Sequence, residues 1–200
     1  MQFDFFNEAP RRTLEPITLL EHASSDYAPR TGENARGADV TVAFAADFTT
    51  AGERLTHRVA GARYAGIPFG SDVEQAVQAL RRKCLERGGF SLNVAGNGIY
   101  TLGKLGVTQA QANQWVYEVL ARLHALGPLT AIRSGGQTGI DTAGLVAGIA
   151  LQVPVTGLWP KGFRQRLENQ RDVLRTQDEL MLELQEAAAA LTLVSNFAKA

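Results

Sequence analysis

The residues best placed to do chemistry are Arg133-Ser134-Gly135-Gly136-Gln137-Thr138-Gly139-Ile140-Asp141, which follow a short apolar run and open an Ala- and Gly-rich stretch. A strand, a glycine loop and a helix start in that order make an anion cradle, because backbone N–H groups face outward and the positive end of the helix dipole lies behind them. The expected ligand is a phosphate-bearing small molecule. Ser134, Gln137 and Thr138 can add side-chain donors, and Thr138 can cap the helix. Asp141, in the first turn, suits the dipole, and it can equally accept hydrogen bonds from ribose hydroxyls or position a water. The loop has no Gly-Lys-Ser/Thr and no GxGxxG, so it supports neither an ATPase nor the standard dinucleotide fingerprint.

Three further segments carry suitable groups. In Gly96-Asn97-Gly98, followed by Tyr100, the asparagine can bond a base or ribose edge and the ring can stack, although Asn and Gly also favour ordinary turns. Lys161, Arg164 and Arg166 offer cations that would complement a phosphate, with Lys161 the preferred contact. Asp47 and Thr49, with Thr50 and Glu53, supply carboxylates and hydroxyls; a helix cap explains most of them, and catalysis or metal binding the remainder. His22, His57 and His124 show no ligand spacing, and no metal site is expected.

These groups need elements to hold them. Residues 1–37 carry Pro10, Pro16, Pro29, Gly32 and Gly37 with no sustained period, and are expected to form an irregular N-terminal arm. From Ala38 short apolar runs alternate with amphipathic stretches, which predicts an α/β domain over 38–200: a Rossmann-like three-layer fold, its mainly parallel sheet covered by helices on both faces. Strands are expected at 39–46, 64–69, 91–95, 129–133 and 153–159. Helices follow from capping boxes at Thr50/Glu53, Ser71/Glu74 and Thr108/Gln111, from the glycine loop over 137–151, and as one long C-terminal helix over 171–190. The four chemical segments all fall just after predicted strands, where an open parallel sheet binds ligands.

Composition sets bounds on partners. A formal net charge of +0 argues against a general nucleic-acid coat, so nucleic acid is not the expected partner. Cys84 is the single cysteine, which excludes an intramolecular disulfide and a multi-cysteine zinc site and fits a reducing compartment. No run of about 18 apolar residues is present and the N-terminus lacks signal-peptide order, so a cytoplasmic protein without a membrane partner is expected.

The string RSGGQTGID, continuing through AGLVAGIALQVPV to PKGF, resembles the molybdenum-cofactor carrier-like proteins of the SLOG superfamily, which joins Smf/DprA with the Lonely Guy proteins. NVAGNGIYTL, TQAQANQWVYEVL and AADFTTAGERLTHRVAG look like a branch found in bacteria, phages and other mobile elements. The resemblance covers roughly residues 38–166. It implies a Rossmann-like fold, frequent homodimerisation and a pocket for nucleotides or their derivatives, with Gly135, Gly136, Thr138 and Gly139 at the anion and Asp141 beside it. The PGGxGTxxE-type segment of Lonely Guy enzymes is absent. The expected function is binding, for sensing or sequestration, of a nucleotide-derived ligand without a required cofactor. The alternatives are a nucleotide hydrolase using Asp141 or an acid of the 47–53 loop, a molybdenum-cofactor carrier, and a single-stranded DNA-handling protein.

Overall fold

The computed structural model describes residues 16–197. In chain order the elements are β1 (Ile17–Glu21), α1 (Tyr27–Arg36), β2 (Val40–Ala45), α2 (Ala51–Ala60), β3 (Tyr64–Pro68), α3 (Val73–Arg87), β4 (Ser91–Gly96), α4 (Ile99–Gly103), α5 (Gln109–Leu126), β5 (Ala131–Ser134), α6 (Ile140–Ala150), β6 (Val155–Trp159), β7 (Gln165–Arg166), β8 (Asp172–Val173) and α7 (Gln177–Phe197). β1 to β6 form one all-parallel sheet in the order β1-β6-β5-β4-β2-β3, while β7 and β8 make a small antiparallel ribbon. With helices on its faces this is the expected α/β, Rossmann-like three-layer fold. Among the described residues no helix is long and apolar enough to cross a membrane.

Local chemistry sets the element ends. β2 is buried at every position, as befits a central strand of a parallel sheet covered on both faces. The Thr50 hydroxyl caps α2 by accepting from the Glu53 N–H, and Thr108 with Gln111 forms a complete capping box at α5. α3 is capped by Asp72 rather than Ser71, its carboxylate accepting from the Gln75 N–H, and it ends at Gly88 in the left-handed region. α6 starts at Ile140, three residues later than predicted, because 135–139 is a loop with Gly136 and Gly139 at positive φ. α7 starts at Gln177, not Arg171. A reciprocal pair, Glu179 N–H to the Thr176 hydroxyl and Thr176 N–H to the Glu179 carboxylate, fixes that start, and the preceding residues form the ribbon.

The larger correction concerns the expected irregular arm. Residues 1–15 lie outside the described residues, but 17–36 are a strand and a helix. β1 adds a parallel edge strand to β6, from Ile17 opposite Val155 to Glu21 opposite Trp159. α1 packs on α2. Its Pro29 sits in the first turn, where an N–H has no helical partner, and its low intrinsic propensity is offset by burying Arg30, Asn34 and Ala35.

The core runs through Val42, Phe44, Val94, Ile132 and the inner faces of α3, α5 and α6, with a second cluster of Leu19, Trp159, Leu180 and Leu184 under α7. α6 lies close on β4: a Cβ at Gly144 would come 2.6 Å from the Val94 side chain. Gly144→Ala is expected to lose about 1–3 kcal/mol through forced repacking, read as a lower urea midpoint at unchanged m. An unchanged midpoint would refute this close approach.

Candidate functional site

Three of the four sequence segments converge beyond the strand C-termini. Gly96, Gly98 and Tyr100 after β4, and Gly135, Gln137, Thr138 and Asp141 after β5, line one cavity of about 430 Å³. Arg166, in the ribbon, closes another side. Two more walls come from helices: Tyr27, Arg30, Thr31 and Asn34 of α1, which the sequence did not point to, and Glu53, an acid of the 47–53 loop already singled out, with Thr56 of α2. The α1 residues stand at helical i, i+3, i+4, i+7 spacing, a signal that was present in the sequence but carried by polar residues, where hydrophobic periodicity does not register.

The glycine loop is shaped by close approach. Gly136, at φ 68°, leaves no room for a Cβ against the Trp159 indole. A Cβ on Gly139, at φ 102°, would meet the Asn97 carbonyl oxygen at 2.5 Å. Several donors expected to face an anion are met from within the chain. The Gly139 N–H donates to Gln109 Oε1 (2.6 Å), Ile140 N–H to the Asn97 carbonyl (3.1 Å) and Thr142 N–H to the Gln137 carbonyl (3.0 Å). The Gln137 N–H bonds the Asp141 carboxylate. The helix start is therefore less open than the sequence suggested.

Other predicted site residues hold the architecture. The fully buried Ser134 hydroxyl donates to the Val94 carbonyl (2.7 Å), tying β5 to β4. Asn97 accepts at Oδ1 from the Ala46 and Asp47 N–H groups (2.8 Å each) and donates through Nδ2 to the Asp47 carbonyl (3.0 Å), clasping the loop after β2. Asp47 turns back on Thr49, accepting from its N–H and hydroxyl at 2.7 Å each, and these bonds hold its carboxyl below the usual range. Neither Asp47 nor Thr49 lines the cavity. Gln137 and Thr138 grip the ribbon: Gln137 Nε2 donates to the Arg164 carbonyl (2.9 Å), the Arg166 N–H to Gln137 Oε1 (2.8 Å), and the Thr138 hydroxyl to the Arg166 carbonyl (2.5 Å).

The cations also differ from expectation. Lys161 lies on the exposed turn after β6, its N–H held by the Ser24 carbonyl, and it does not line the cavity. Arg164 packs over the Tyr27 ring (4.7 Å to the centroid) and beside Asp172 (3.7 Å), also outside the cavity lining. The guanidinium groups that do line it are Arg166, paired with Asp172 at 2.8 Å, and Arg30.

Arg30 and Asp141 form a buried ion pair at 3.4 Å, with side chains 7% and 14% exposed. Burial raises the Asp141 carboxyl above its ordinary range even against the pull of Arg30, and burial lowers the Arg30 guanidinium. Glu53, read from sequence as a cap residue or a candidate general base, is 3% exposed. Burial first, then the nearby charge of Asp141, pushes its carboxyl up to about 7, although the Tyr64 hydroxyl bonds it. Burial first, then the nearness of Glu53, raises the Tyr64 hydroxyl to about 12. Arg30 Nε, Asn34 Oδ1 and Glu53 Oε2 are all buried without a hydrogen-bond partner. Among the described residues no group of His, Cys, Asp and Glu is arranged to hold a metal ion.

Residues 132–178 match the family model described as the circularly permutated YpsA SLOG family. The match takes in the glycine loop, α6, β6 and the ribbon. Neither the curated proteins nor the solved structures give a match.

Two outcomes follow from this geometry. Gly136→Ala is expected to destabilise the fold by about 2 kcal/mol or more, through strain at positive φ and the clash with Trp159, again read by urea midpoint. Glu53 gives a pH signature. Its folded value of about 7 lies above the ordinary 4.5, so its contribution is intact below about pH 4.5 and is lost as pH rises to about 7. Glu53→Gln is therefore expected to gain on the parent across that window, by roughly 2–3 kcal/mol at pH 8 and little at pH 4. Parallel stability curves for the two proteins would refute the buried, proton-holding carboxyl.

Proposed function

We propose that this chain, a member of the SLOG superfamily, binds a nucleotide-derived, phosphate-bearing small molecule in the cavity between α1, α2 and the glycine loop, as a sensing or sequestering domain. One observation carries the reading: three buried polar atoms without partners, Arg30 Nε, Asn34 Oδ1 and Glu53 Oε2, belong to side chains lining a single cavity. Unmet buried polar groups cost about 1–3 kcal/mol each, and a polar ligand meets them. A volume of about 430 Å³ suits a molecule of nucleotide size. Arg30 and Arg166 face its phosphate, and Tyr100 offers a ring at the wall. The same donor set would take the phosphate of a molybdenum cofactor as cargo.

A second reading, hydrolysis of an N-glycosidic or phosphate bond, is favoured by Glu53. A carboxyl poised at about 7 beside Asp141 suits a general base that takes a proton from water near neutral pH. Asp47, outside the cavity, has no part in it. Single-stranded DNA handling draws no support from a net charge of +0.

Thermal denaturation with a panel of nucleotides, cyclic nucleotides and ADP-ribose derivatives tests binding. A ligand at one hundred times its Kd is expected to raise Tm by about 5–10 °C. No shift with any anionic member of the panel would count against the proposal. Chromatography of the ligand after incubation separates the two readings: an intact ligand leaves the binding domain, and a released base or phosphate makes the chain a hydrolase.

A further inference from the structure

We infer that Glu53 and Asn34 select for a pair of neighbouring free hydroxyls on the ligand, the 2′,3′-diol of a ribose, so that the cavity takes ribonucleotides in preference to 2′-deoxyribonucleotides. The inference rests on the nucleotide-binding reading and names its substrate class.

The unpartnered atoms are not chemically alike. Asn34 Oδ1 is an acceptor, and so is Glu53 Oε2 once the carboxyl is ionised above about pH 7, on side chains 2% and 3% exposed. Arg30 Nε is a donor. The two acceptors come from α1 and α2, which pack on each other, and thus define one wall of the cavity. The donor belongs to the guanidinium packed against Gly135 and Asp141, so it marks the glycine-loop side. A complementary ligand presents two donors to the helix wall and an acceptor, best an anion, to the loop. Hydroxyls donate without charge. Thr56, three residues after Glu53 on α2 and 6% exposed, also lines the cavity and adds a hydroxyl able to donate or accept. A ribose bearing a phosphate joins a vicinal diol and an anion in one small group, and a 2′-deoxyribose lacks one of the donors. Its binding would leave a buried acceptor unmet, the situation in which polar sites discriminate most strongly.

The test is calorimetric titration of the full chain at pH 8 with the four ribonucleoside 5′-monophosphates and their four 2′-deoxy counterparts. For the best-bound base the deoxy form is expected to bind at least tenfold more weakly. In Glu53→Met, which keeps side-chain length but loses the acceptor, the ratio of the two affinities is expected to fall toward one. Asn34→Ala provides an independent variant should the first not fold. Equal affinity of the parent for both series, or a ratio unchanged in both folded variants, overturns the diol inference while leaving nucleotide binding in place. No binding by either series overturns the diol inference for 5′-monophosphates, and a thermal panel that is silent as well overturns nucleotide binding with it.

Discussion

A guanidinium and a carboxylate withdrawn from water together organise this end of the molecule. Each of Arg30 and Asp141 costs several kcal/mol to bury as a charge, and the loss of either partner would leave the other uncompensated, typically at 3–5 kcal/mol. The surroundings are built to keep them together. Gly135 has no side chain where the Arg30 guanidinium lies, and the Gln137 N–H helps hold the Asp141 carboxylate. The pair fixes α1 to the start of α6, which closes one wall of the cavity. The charge of Asp141, second to burial, pushes the neighbouring Glu53 carboxyl up to about 7.

Around that pair the loops are fastened by side-chain amides. Asn97 joins the ends of β2 and β4, Gln109 holds the Gly139 peptide from both sides, and Gln137 and Gln165 bind the loop to the ribbon. Amides suit this work because each carries a donor and an acceptor and no charge, so both peptide groups of a turn can be met without a further counter-ion. The positive-φ glycines then follow: once the loop is drawn against Trp159 and the Asn97 carbonyl, no larger residue fits.

The sheet was legible because its strands are apolar and regularly punctuated. β2 to β6, their order of appearance and the α5 capping box all follow from periods and caps visible in the chain. The glycine loop and Asp141, which line the cavity, were legible for the same reason, lying just beyond a strand. What the sequence concealed was everything made by polar residues at a distance. α1 has no apolar stripe and carries Pro29 and Gly32, so its helix is stabilised by contacts that no local window contains. Glu53 matched both a helix cap and a candidate general base, but its burial comes from neighbours on other elements that no local window contains. Ser134 and Asn97 had the right chemistry at the right edge, but the protein uses their hydrogen bonds itself. Lys161 was misjudged because Gly162 and Phe163, both at positive φ, turn the chain after β6 in a direction that composition does not encode.

The first strand has its partner near the other end of the described chain. β1 pairs only with β6, and Arg30 finds Asp141 across 111 residues. During synthesis α1 and β1 emerge early but have nothing to dock on until β6 and α6 have followed. The central strands can pair beforehand, since their contacts are nearer in sequence. Closing so long a loop makes the edge strand and α1 a late step of folding. The cavity wall that carries Arg30 and Asn34 is then the last part of the site to form, and in the reverse direction its docking is the first cooperative unit exposed to local opening.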